Sequence, residues 1–142
     1  MKALNAIRLS GKDALPLVEG GKGVAITTGK SSGAWAAAGG AGTFSAVNAE
    51  HYDDEGKLIP LTYNGKTRRE RHNELIEYSI QGGVDQAKIA HEIANGNGRL
   101  HMNVLWEMAA VEDILHGVLG QVGELVDGIT CGAGMPYKVS QI

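Results

Sequence analysis

Apolar residues in this chain come in short runs closed by glycines, alternating with stretches at helical spacing. Leu15-Pro16-Leu17-Val18 has the length of a buried strand, and Pro16 is tolerated near its start. Gly20, Gly21, Lys22 and Gly23 then predict a sharp turn at which backbone can approach another group closely. Residues 24–28 either extend the strand or run as a loop to a helix that Thr27 or Thr28 caps. The alanine-rich stretch Ser31 to Ala38 predicts a slim helix stopped by Gly39-Gly40. Gly42 to Val47 predicts a second strand. Met1 to Asp13 is mixed and fits a lead-in strand or a turn of helix.

The second half repeats the alternation. A long connection, residues 48–66, carries two turn signals, Asp54-Glu55-Gly56 and Asn64-Gly65, and residues 57–63 between them suggest a small hairpin arm. Thr67 and Glu70 form a capping box ahead of a helix with Leu75, Ile76 and Ile80 on one face. Gly82-Gly83 is expected to interrupt that helix before a second segment carrying Val84, Ala87, Ile89 and Ile93. Residues 99–106 predict a third strand, 111–119 a third helix and 125–131 a fourth strand. The order β-α-β-α-β-α-β predicts an α/β fold with a parallel sheet, and such sheets hold ligands at the carboxyl ends of their strands.

Composition narrows the function. Glycine supplies 21 of 142 residues, about twice the average share, and sits at turns rather than in repeats. A net charge of −3 with interspersed signs argues against a nucleic-acid partner. The single Cys131 excludes an internal disulfide and a multi-cysteine zinc site. No apolar run reaches the roughly 18 residues of a membrane span, and no continuous apolar segment follows Met1-Lys2, so a cytoplasmic location is the expectation.

Gly29-Lys30-Ser31 is the tail of a phosphate-binding loop, but Val24 stands where that loop requires glycine. Asn103 lies in an apolar strand, and a buried amide needs a partner there, either backbone or a bound polar ligand. Cys131 fits a small core filler better than a nucleophile, since no general base accompanies it. The five histidines show no metal-ligand spacing: His72, His91 and His116 fall on helices, whereas His51 lies on the long connection and could face the ligand edge. Lys66, Arg68, Arg69 and Arg71 form either a solvated face or a seat for an anionic group.

Four blocks in order carry a family resemblance. Residues 16–23 and 32–45, His101-Met102-Asn103-Val104-Leu105, and Thr130-Cys131-Gly132-Ala133-Gly134-Met135-Pro136 resemble the nitronate monooxygenases, formerly 2-nitropropane dioxygenases. The resemblance implies an FMN-dependent TIM barrel that oxidises alkyl nitronates with dioxygen; flavin-dependent enoyl reductases are related. It places Gly20, Gly21, Lys22, Gly23 and Asn103 at the flavin and Gly132, Gly134 and Pro136 on the substrate side. Many members carry methionine where this chain has Lys22, and the 48–66 connection is longer than in compact members. A TIM barrel needs eight strands and roughly 200–250 residues or more. Residues 1–142 are therefore expected to be a partial barrel domain, the N-terminal half with about four parallel strands. The catalytic histidine and the phosphate loops are expected beyond Ile142. The partners implied are a small-molecule substrate and dioxygen, with pairing to the other barrel half or to a second copy. The alternative is a non-catalytic half-barrel that self-associates.

Overall fold

A computed structural model describes residues 4–142. Its centre is a parallel sheet of three strands, β3 (Ala41–Ser45), β6 (Arg99–Leu105) and β7 (Gly128–Gly132), in the order β3-β6-β7. Three helices accompany it: α1 (Gly29–Ala37), α2 (Arg68–Ala94) and α3 (Val111–Val122). The fold is thus mixed α/β, as the alternation predicts.

The pleat sorts the sheet into two faces. Phe44, Leu100, Met102 and Val104 point to the helices and join Ala36, Val84, Ala87, Ala90, Ile114, Leu115 and Val118 in one core. Residues of opposite parity, Thr43 and Ser45 on β3, His101 and Asn103 on β6, and Thr130 on β7, share the other face. One face is therefore an apolar helix seat and the other is polar.

The expected half-barrel of four parallel strands is not what forms, and no closed barrel is present among the described residues. Leu15–Val18 runs beside β3 but contributes a single bridge, Val18 to Ala41. Ala41 N–H donates to Leu17 O at 2.9 Å and Glu19 N–H to Ala41 O at 2.8 Å. One rung later the ladder has ended, and the Glu19 carboxylate, not the Glu19 carbonyl, accepts from Thr43 N–H.

Several elements depart from the sequence expectation for identifiable reasons. The opening segment holds a hairpin, β1 (Ile7–Leu9) paired antiparallel with β2 (Lys12–Ala14), whose Ser10-Gly11 turn has φ of +47° and +81°. The first three residues of that segment lie outside the described ones. The expected arm at 57–63 pairs differently: β4 (His51–Tyr52) and β5 (Leu58–Ile59) use the first turn signal. Asn64 and Gly65 instead donate their N–H groups to the Glu74 carboxylate at the entry to α2.

Helix α2 runs unbroken through Gly82-Gly83. A Cβ at Gly82 would collide with the carbonyl of Ala49, and one at Gly83 would stand 2.7 Å from Val118 Cγ2. These glycines mark close approach of neighbouring backbone and of α3, so packing outweighs their low helix propensity of about 1 kcal/mol each. Thr67 and Glu70 form the anticipated capping box, and Thr28 caps α1 with Ser31 as its reciprocal partner.

Candidate functional site

The site is built where the chain leaves the edge of β3. Gly20 to Val24 departs after Glu19 and returns when Ala25 N–H donates to Val47 O at 3.1 Å and Ser45 N–H to Thr27 O at 2.9 Å. Thr27 ties the loop: its Oγ1 accepts from Lys22 N–H at 3.2 Å, and its own N–H donates to Lys22 O at 3.3 Å. The excursion carries Gly21 across the polar face onto β6.

Gly21 meets Asn103 there. A Cβ on Gly21 would stand 2.5 Å from Asn103 Cβ and Cγ and 2.6 Å from its Oδ1. Asn103 is 4% exposed, and its Nδ2 has no hydrogen-bond partner among the described residues. The hydroxyl of Thr43, fully buried on the neighbouring strand, is also without a partner among the described residues. A buried polar group left unpaired costs about 1–3 kcal/mol, so this face carries two groups suited to a polar ligand.

Of the residues singled out in the sequence, Gly21 and Asn103 come together. Gly23 lies beside Val47 at 3.4 Å, Gly20 has nothing within 4 Å of a Cβ position, and the Lys22 side chain is exposed. Gly132 and Gly134 continue β7 at the same carboxyl edge, where they lie against Leu105 and Glu107 and not against the glycine loop. Pro136 follows on the turn after β7 and is half-buried.

The chemistry of the polar face deepens toward the amino ends of the strands. His101 Nε2 lies 3.3 Å from Ser10 Oγ, and its Nδ1 lies 3.5 Å from Thr130 Oγ1. Burial holds the His101 imidazole below its ordinary pKa; Asp127 opposes that shift and Arg99 adds to it. Arg99 is buried and doubly held, by Asp127 at 2.6 Å and by the Leu9 carbonyl at 2.9 Å, which fastens the β1–β2 hairpin to the sheet.

Cys131 sits on the helix-facing side of β7, and burial raises its thiol pKa despite the opposing Trp106 N–H. It is a poor nucleophile in that setting. His51, a candidate for the ligand edge, is bound to α2 through Asp85 at 2.6 Å, with the Tyr78 ring edge-on at 6.0 Å. Asp85 also accepts from Tyr52 N–H at 2.8 Å, so the pair fastens the β4–β5 arm to the helix. His72, His91 and His116 are exposed, as are Lys66, Arg68, Arg69 and Arg71. Among the described residues, no group of three or more His, Cys, Asp or Glu is placed to hold a metal, and no helix is long and apolar enough to cross a membrane.

Glu19 and Thr43 are the participants that sequence reasoning missed. The one available signal was a carboxylate directly after the apolar run and directly before the glycines.

These residues define a mixed α/β protein with a polar sheet face at which a glycine loop covers an unsatisfied amide. The space a Cβ would take at Gly21 is filled by Asn103 itself, so the one feature of this contact that suits a polar ligand is the buried Asn103 donor, without a partner among the described residues. No family model, curated protein or solved structure matches the chain.

Proposed function

We propose that this chain forms one wall of an FMN site in a flavin-dependent oxidoreductase of the nitronate monooxygenase type, acting on alkyl nitronates with dioxygen. The glycine loop, Gly20 to Gly23, would lay its backbone along the flavin ring. Asn103 would donate its free amide hydrogen to a ring heteroatom, and Gly132, Gly134 and Pro136 would border the substrate. FMN, when bound, supplies the redox chemistry that amino-acid side chains lack.

The observation that carries this reading is the unpaired Nδ2 of Asn103, buried against the side-chain-free backbone of Gly21. An apolar residue of similar size would avoid the desolvation cost, so the amide is best explained by an acceptor that arrives with a ligand. The test is a titration with FMN of the longer polypeptide that carries this chain, followed by flavin fluorescence and absorbance. Wild-type protein should bind, and Asn103→Ala should weaken binding at least tenfold. Equal affinity removes Asn103 from the site, and no binding by wild type ends the flavin reading.

A second reading, a self-associating unit without catalysis, is favoured by one feature. Leu17, Ala34, Trp35, Ala38 and Gly40 line an apolar groove of about 290 Å³, with Leu17 and Trp35 exposed. Colourless protein that sediments as an oligomer would favour it over the first.

A further inference from the structure

Glu19 is 7% exposed, and no cation lies within ion-pair distance of it among the described residues. A buried carboxyl group needs hydrogen-bond partners within the fold. Its Oε2 accepts from Thr43 N–H at 3.0 Å. Thr43 N–H points toward the Leu15–Glu19 segment, as Ala41 N–H does one rung earlier, where Leu17 O accepts at 2.9 Å. In a continued parallel ladder the next acceptor would be the carbonyl of Glu19.

We propose that Glu19 is the positioning residue of the glycine loop: its carboxylate replaces its own carbonyl as the acceptor for Thr43, and the main chain is thereby turned off the sheet edge and across the polar face to Asn103. The exchange solves a specific problem. An edge N–H inside the fold must be satisfied, yet the backbone that would satisfy it is needed elsewhere. A side chain on the residue before Gly20 meets both demands. The loop is then pinned at its far end by Thr27, so Gly21 is held from both sides.

For its ligand readout this inference rests on the flavin reading; for its structural readout it does not. The experiment compares Glu19→Met, which keeps the length and removes the acceptor, with Glu19→Gln, which keeps an acceptor oxygen and removes the charge. Amide hydrogen exchange by NMR, without ligand, should show Thr43 exchanging at least tenfold faster in Glu19→Met and within threefold of wild type in Glu19→Gln. FMN affinity should fall at least tenfold in the first and stay within threefold in the second. Unchanged Thr43 protection in Glu19→Met overturns the proposal. So does Glu19→Gln behaving as badly as Glu19→Met, since charge and not the acceptor would then matter. If Glu19→Met does not fold, Glu19→Gln decides alone: wild-type exchange at Thr43 supports the role, and tenfold acceleration overturns it. A longer wild-type polypeptide that binds no FMN ends the flavin reading and leaves the exchange comparison standing.

Discussion

Gly21 rests its backbone on the side chain of Asn103, so closely that a single added carbon at position 21 would lie 2.5 Å from the Asn103 Cγ. Residue 20, one step earlier, meets nothing within 4 Å. Two adjacent glycines in one turn are therefore under unequal constraint.

Gly21→Ala should destabilise the fold by about 1–3 kcal/mol, because loop or amide must shift. Gly20→Ala should stay within roughly 0.5 kcal/mol of wild type, as for an unconstrained surface site. Urea denaturation of both variants checks this; equal losses would mean that the contact with Asn103 is not what fixes the loop.

Thr43→Val removes a buried hydroxyl that has no partner among the described residues while nearly keeping its shape. Without ligand the variant should be about 1 kcal/mol more stable than wild type. A loss of that size, measured by thermal or chemical denaturation, would show that the hydroxyl is bonded.

Gly82→Ala should cost about 2–4 kcal/mol, since its Cβ would press on the Ala49 carbonyl. Gly120, exposed in α3 with open space around it, is the opposite case. Gly120→Ala should add about 0.5–1 kcal/mol through helix propensity and reduced freedom of the unfolded chain. A melting-temperature comparison of the two variants separates packing from propensity.

His101 has its pKa lowered in the fold, chiefly by burial. The unfolded chain takes up this proton first as pH falls, so the contribution is whole above the unfolded value of about 6.5 and declines as pH drops toward the folded one. Stability measured at pH 7.5 and pH 5 should fall on acidification, and Asn in place of His101 should flatten part of that slope. An NMR titration placing His101 above its usual range would refute the sign.

Cys131, with its thiol pKa raised by burial, should react slowly with disulfide reagents at pH 7.5 in native protein and rapidly after unfolding. Equal rates in the two states would contradict its placement against the core.

Local signals identified a good share of this molecule. The capping box of Thr67 and Glu70, the apolar runs of β3 and β6 and the spacing of α3 were all legible, because each depends on residues a few positions apart, whereas the cap of α1 was narrowed only to Thr27 or Thr28. Asn103 stood out for the same reason, as an amide among apolar neighbours. The first apolar run misled: Leu15–Val18 has strand composition but makes one bridge, and a side chain further along captures the next donor.

What the sequence alone determined is the mixed α/β character, the approximate bounds of β3, β6 and α3 and the small-residue character of the turn after Val18, all consequences of periodicity and backbone preference along a short stretch. Only the tertiary structure decided that Gly82-Gly83 continues a helix, that Asp85 holds His51, that Glu19 ends a ladder and that Gly21 lands on Asn103. Each of those depends on a partner remote in the chain, and the close approach or hydrogen bond that fixes it exists only once the two segments have been packed together.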